Sequence, residues 1–233
     1  MSDVADSRSK ILASIRQSLS GARHLPYPPL LTLPTPSTAS TAVTALADQF
    51  AAELALISGQ CVSLPQAEVA GWMLQVLAER GTQNLVAWQA ADLPVPGLLD
   101  ALRAGGANIL NSMLPTGEPD RSTALTQVEA VTVGLTGADA AFADTGSLVL
   151  TAGPGRPRLA SLSVRTHVAL LDPGRLYPSW AAWLAAEGQG ATERLTGSSN
   201  LTVITGPSRT ADIEMTLTVG VHGPSELIVV LVG

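Results

Sequence analysis

Between Ile204 and Pro224 the chain reads I-T-G-P-S-R-T-A-D-I-E-M-T-L-T-V-G-V-H-G-P. This one stretch gathers glycines, hydroxyls, an arginine, carboxylates and a histidine. Gly206-Pro207-Ser208 predicts a strand-ending turn with Ser208 as a helix N-cap. The peptide N–H groups from Gly206 to Thr210 would then point together at an anion. Arg209 adds a planar guanidinium at the same place. The turn bounded by Gly220 and Gly223 presents His222 where it can meet a ligand or exchange a proton. These residue types support capture of a small anion, with His222 or Glu214 as candidate acid or base. For Asp212 the plain alternative is an ion pair with Arg209 three positions earlier.

A second group lies upstream. Asp144-Thr145-Gly146-Ser147 leads into the apolar run Leu148-Val149-Leu150, and Gly153-Pro154-Gly155-Arg156-Pro157-Arg158 follows. Asp144, Thr145 and Ser147 around Gly146 would either orient a ligand oxygen, with Asp144 a candidate proton acceptor, or close an Asx-turn on their own backbone. The Gly-Pro-Gly has neither the spacing nor the lysine of a phosphate loop. Its interest is in Arg156 and Arg158, which would meet carboxylate or phosphate with bidentate forks or else stand solvated at a loop rim. Arg158 precedes Leu159-Ala160-Ser161-Leu162 and would sit at a helix start. His167 opens an apolar strand, the usual setting of a hydrogen-bonded core histidine. Cys61, the lone cysteine, excludes an internal disulfide and an iron–sulfur ligand set, and reads as a packed thiol. No pair of histidines or cysteines has metal-ligand spacing, so no metal site is expected.

The composition narrows the function classes. The 233 residues are 46% hydrophobic and 14% charged, the latter well below the usual value of about 25%. The net charge of −6 argues against general nucleic-acid binding. Lys10 is the only lysine, so an anion would be met by guanidinium groups. Arg156, Arg158, Arg165 and Arg175 cluster against the single acid Asp172. No apolar run approaches the roughly 20 residues of a membrane span. The polar N-terminus lacks a signal core, so a cytoplasmic protein is expected.

The elements that must position these groups alternate. Residues 1–22 predict an amphipathic helix and 23–41 a proline-rich strap. Residues 42–233 predict a single α/β domain. Within it, helices are expected over 42–57, 66–79, 98–104 and 179–186. Strands are expected over 60–64, 84–88, 108–110, 130–135, 147–151, 167–171, 200–205 and 226–232. This order implies a mostly parallel sheet with helices on both faces. A ligand cleft is expected beyond the carboxyl ends of its strands.

A-D-T-G-S-L-V-L (143–150), G-P-G-R-P-R (153–158), Ser161-Leu162 with His167, I-T-G-P-S-R-T-A-D-I-E (204–214) and G-V-H-G-P (220–224) together resemble the LUD domain, in its lactate-utilisation protein C branch. The resemblance covers roughly residues 45 to 233. It implies a fold similar to the ribose-phosphate isomerase, glucosamine-phosphate deaminase and CoA-transferase group. It also implies an accessory or ligand-binding role in oxidising L-lactate to pyruvate, beside partner subunits that carry the iron–sulfur clusters, with no cofactor on this chain. The competing expectation is a stand-alone isomerase- or transferase-like enzyme acting on an anionic metabolite. Thr145, Gly146, Arg156, Arg158, Gly206, Ser208, Arg209, Thr210, His222 and Gly223 are the expected ligand-binding positions. Asp144, Glu214 and His222 are the catalytic candidates.

Overall fold

The computed structural model describes residues 2–20, 42–110, 115–211 and 217–233. The proline-rich segment and the candidate Glu214 lie outside them. The chain divides into two units, residues 1–34 and 35–233. In the first, α1 (Ser2–Ser20) carries Ile11, Ile15 and Leu19 at four-residue spacing, and all three are exposed.

The second unit is built on a six-stranded parallel sheet of β1 (Gln60–Leu64), β2 (Asn84–Ala87), β3 (Asn108–Leu110), β4 (Val133–Gly137), β7 (Thr166–Leu171) and β12 (Glu226–Val232). Their order across the sheet is β1-β12-β7-β4-β2-β3. β7 and β12 carry apolar runs at Val168–Leu171 and Leu227–Leu231. β4 and β7 are buried along their whole length, as both-sided coverage of a parallel sheet demands. Around the sheet pack α2 (Val43–Leu56), α3 (Val69–Glu79), α4 (Leu98–Ala104), α5 (Asp120–Glu129) and the short α6 (Leu159–Leu162). The buried faces of α2 and α3 follow helical spacing: Leu46, Phe50 and Leu54, then Val69, Met73, Val76 and Leu77. α6 lies flush on β4 because Gly134 has no side chain. A Cβ there would collide with the Ala160 carbonyl oxygen.

The sequence reading did not foresee a second sheet. β5 (Ala140–Phe142), β6 (Ser147–Ala152), β8 (Leu176–Tyr177) and β9 (Asn200–Ile204) pair in the order β8-β5-β6-β9. Its far face is closed by α7 (Trp180–Glu187), whose Trp180 and Trp183 stack edge-on with each other and pack on Phe142. Ser179 caps α7, its hydroxyl accepting from Ala182 N–H. α8 (Gln189–Gly197) leads back into β9. The hairpin β10 (Arg209–Ala211) and β11 (Leu217–Val219) then precedes β12.

Among the described residues no helix is long and apolar enough to cross a membrane. The strand expected over 130–135 starts later, at Val133, because Ala130 still belongs to the end of α5. The helix expected from Gln66 begins as a single 3-10 turn and becomes α-helical only at Val69.

Candidate functional site

A cavity of about 220 Å³ gathers the two glycine turns of the last third. Its wall holds Gly206, Pro207 and Ser208 from the segment after β9, and His222, Gly223 and Pro224 from the segment before β12. Ser161 and Leu162 of α6 line another side. His167, second residue of β7, and Leu227, second of β12, also line it. Larger hollows, such as one of about 640 Å³ between the end of α3 and the start of β2, contain none of these motif residues.

The turns are welded together by backbone hydrogen bonds. Ser208 N–H donates to the Pro224 carbonyl at 2.8 Å, and Gly220 N–H donates to the Ser208 carbonyl at 2.8 Å. Gly206 has φ +83°, and a Cβ there would press 2.8 Å from the Ile57 carbonyl oxygen, so the turn tolerates only glycine. Thr205, also in the wall, shares a 2.8 Å hydrogen bond with Ser147. That contact ties the A-D-T-G-S motif to the I-T-G-P-S motif.

The floor is His167, 1% exposed. Its Nε2 lies 2.9 Å from Thr136 Oγ1, which is itself fully buried. Burial pushes the ring down from 6.5 to about 4, so it is neutral at pH 7. One position earlier on β7, Thr166 donates to the Glu226 carboxylate at 2.7 Å, and Arg80 grips the same carboxylate at 2.6 Å. Burial alone would raise the Glu226 carboxyl, but the hydrogen bonds from Arg80 and Thr166 outweigh it and hold it below its ordinary value. This cluster pins the amino ends of β7 and β12 to each other.

The cavity therefore opens beside the amino-terminal part of two parallel strands, not beyond carboxyl ends as expected from the fold class. At the carboxyl ends of β2 and β4 an ionic cluster stands instead. Arg156 Nε donates to Asp92 and its Nη1 to Asp139, each at 2.7 Å. Asp139, its side chain 5% exposed, also accepts from Thr151 N–H and Oγ1. Arg156 lies over the Trp88 ring. Both forks of this guanidinium thus serve carboxylates of its own fold, and Arg156 is not in the wall of the motif cavity.

The other expected positions scatter. Arg158 is exposed and lines a small hollow of about 10 Å³ that shares Ser161 with the motif cavity. Arg209 is exposed, outside the cavity wall, and its Nη2 donates to Ser58 Oγ at 2.7 Å. Asp144 and Thr145 are exposed and do not line the cavity. Gly146 serves packing: with φ +62°, it lets the chain approach the backbone of Leu54 in α2. Thr210 lies in β10. Among the described residues no helix follows Ser208: residues 209–211 pair antiparallel with 217–219. The bond from Ser208 N–H to the Pro224 carbonyl takes up one amide that an anion nest would need. Of the catalytic candidates, His222 lines the cavity, Asp144 does not, and Glu214 lies outside the described residues. His167 went unrecognised as a wall residue, since a histidine opening an apolar strand looks the same in sequence whether or not a cavity touches it. Among the described residues no group of three or more His, Cys, Asp or Glu could hold a metal ion. Cys61 sits on β1, its thiol pushed up to about 11 by burial.

The LUD domain family model matches residues 47–232. A lactate utilization protein C from Geobacillus sp. (strain WCH70) is 28% identical over 187 residues, 80% of this chain and 78% of that one. Another, from Exiguobacterium sp. (strain ATCC BAA-1283 / AT1b), is 40% identical over 100 residues, 43% of this chain and 44% of that one. The crystal structure of a DUF162 family protein from Deinococcus radiodurans superposes with a TM-score of 0.57 at 20% identity, covering 83% of this chain and 99% of that one. Similarity at that level speaks to the fold. With the family model spanning most of the α/β unit and its motif turns closing on one cavity, the chain belongs to the LUD domain family.

Proposed function

We propose that this protein is a ligand-binding or accessory component of L-lactate utilisation, holding a small carboxylate in the cavity floored by His167. The observation that carries the reading is the convergence of Gly206-Pro207-Ser208 and His222-Gly223-Pro224 on one hollow of about 220 Å³. That volume equals the share of about seven water molecules and lies below the roughly 300–1,000 Å³ of drug-sized sites. A three-carbon hydroxy or oxo acid fits it with room for solvent. Two relatives that share this domain carry the name lactate utilization protein C. In this reading Ser208 and His222 hydrogen-bond the ligand, and Arg158 and Arg209 supply positive charge at the rim. Iron–sulfur subunits take the electrons, and the setting is the cytoplasm. Kinship with the ribose-phosphate isomerase and CoA-transferase group belongs to the same reading.

Because both arginines are exposed, losing either should weaken binding by less than the roughly tenfold expected of a buried charge-assisted contact. Titration calorimetry of the full chain with L-lactate and with pyruvate tests the proposal. The expected result is saturable binding of at least one acid, weakened in an Arg158→Ala, Arg209→Ala double variant. Absence of heat with both acids at millimolar concentration overturns it. Turnover of either acid by the isolated chain would replace the accessory role with an enzymatic one.

A further inference from the structure

The cavity floor holds a polar group with spare hydrogen-bonding capacity. His167 is almost wholly buried yet lines the cavity. One ring nitrogen, Nε2, is engaged by Thr136. Among the described residues nothing bonds the other, Nδ1. Among the described residues no carboxylate bonds this ring: Glu226 pairs across from Thr166, the preceding position of β7, and is committed to Arg80 and Thr166. A neutral imidazole is a poor counter-ion for a carboxylate but a good partner for an uncharged oxygen.

We propose that the Thr136–His167 pair seats the hydroxyl or carbonyl oxygen next to the ligand's carboxylate, so that the cavity selects 2-hydroxy and 2-oxo acids over plain carboxylic acids. The inference rests on the small-carboxylate reading above and deepens it. The threonine hydroxyl both donates and accepts. When it donates to Nε2, the ring proton sits on Nδ1 and is offered to a carbonyl oxygen. When it accepts from Nε2–H, Nδ1 is a bare lone pair and takes the proton of a ligand hydroxyl in a hydrogen bond. One pair therefore suits both the reduced and the oxidised member of a hydroxy/oxo couple. Burial, which keeps the ring neutral down to about pH 4, preserves this dual capacity. His167 contacts the ligand; Thr136 is a positioning residue that acts through it.

The test uses matched pairs of acids: L-lactate and pyruvate against propionate, 2-hydroxybutyrate against butyrate, and glycolate against acetate. Each is titrated into the full chain by calorimetry while the His167 ring nitrogens are followed by ¹⁵N NMR. A site built to hydrogen-bond an oxygen rejects the analogue lacking it, here by about tenfold or more. The oxygenated acid should also move the Nδ1 signal. In Thr136→Val, a near-isosteric change, and in His167→Phe, the preference should collapse. Should either variant fail to fold, the wild-type pairs and ring signals still decide. Equal affinity within pairs, or binding with an unmoved Nδ1 signal, overturns the inference while leaving the carboxylate reading in place. Discrimination in the four-carbon pair without binding of L-lactate or pyruvate upholds the inference and removes lactate as the ligand. No binding by any acid overturns both.

Discussion

Acidification should destabilise this protein through His167 in particular. The ring stands at 6.5 in the unfolded chain and at about 4 in the fold, because burial penalises its charged form. Between those values the unfolded chain holds a proton that the folded one does not. Stability is therefore fully present above 6.5, falls as pH drops below it, and levels off once the folded ring also takes its proton below about 4. The full loss is about 3 kcal/mol, at 1.36 kcal/mol for each tenfold difference in proton affinity. For a domain of this size that lowers the melting temperature by roughly 6–12 °C. Chemical denaturation of the wild type and of His167→Gln, measured from pH 7 to pH 4, isolates the effect. The contribution from Glu226 is common to both proteins and cancels in the difference. The wild type should start more stable and lose its advantage toward pH 4. Two curves that stay parallel over the whole interval would refute the reasoning, since the ring would then be no harder to protonate in the fold than in the open chain.

Arg156→Ala should cost about 3 kcal/mol in denaturant titrations, because Asp139 would be left buried without its nearest cation. Arg156→Lys should recover only part of that, since an ammonium cannot fork between Asp92 and Asp139. Ligand affinity measured in Arg156→Lys should match the wild type, as this guanidinium does not line the motif cavity. Glu226→Gln should cost about 1–2 kcal/mol at pH 7 by removing the charge that Arg80 and Thr166 bind. The Glu226 carboxyl is depressed in the fold, so its contribution is present above 4.5 and lost as pH falls through the folded value. Thermal melts of wild type and variant should accordingly converge in acid.

The parallel core was legible because buried parallel strands carry their own signature. Val168-Ala-Leu-Leu and Leu227-Ile-Val-Val-Leu are continuous apolar runs that can only be covered on both faces. The turns were legible too: glycine and proline at 206–207 and 223–224 restrict the backbone locally, whatever surrounds them. By contrast α5 was invisible, since its sequence is polar and buries only Val128, leaving no stripe to detect. β5 reads Ala-Ala-Phe, a poor strand former held in place by β6 and β8. Ser208-Arg-Thr-Ala-Asp has the local look of a helix start, yet residues 209–211 pair with 217–219. Local capping chemistry lost there to antiparallel strand pairing.

The amino-acid order by itself determined the family, the alternating architecture and the backbone corners, because each depends on residues close together in the chain. Only the tertiary structure decided what the charged and polar side chains do. Arg156 meets Asp92 from 64 positions away and so became a brace within the fold. His167 meets Thr136 from 31 positions away and so became the floor of a cavity. A side chain's protonation and reach are set by neighbours that the chain brings together only on folding, and no local pattern encodes which neighbours those will be.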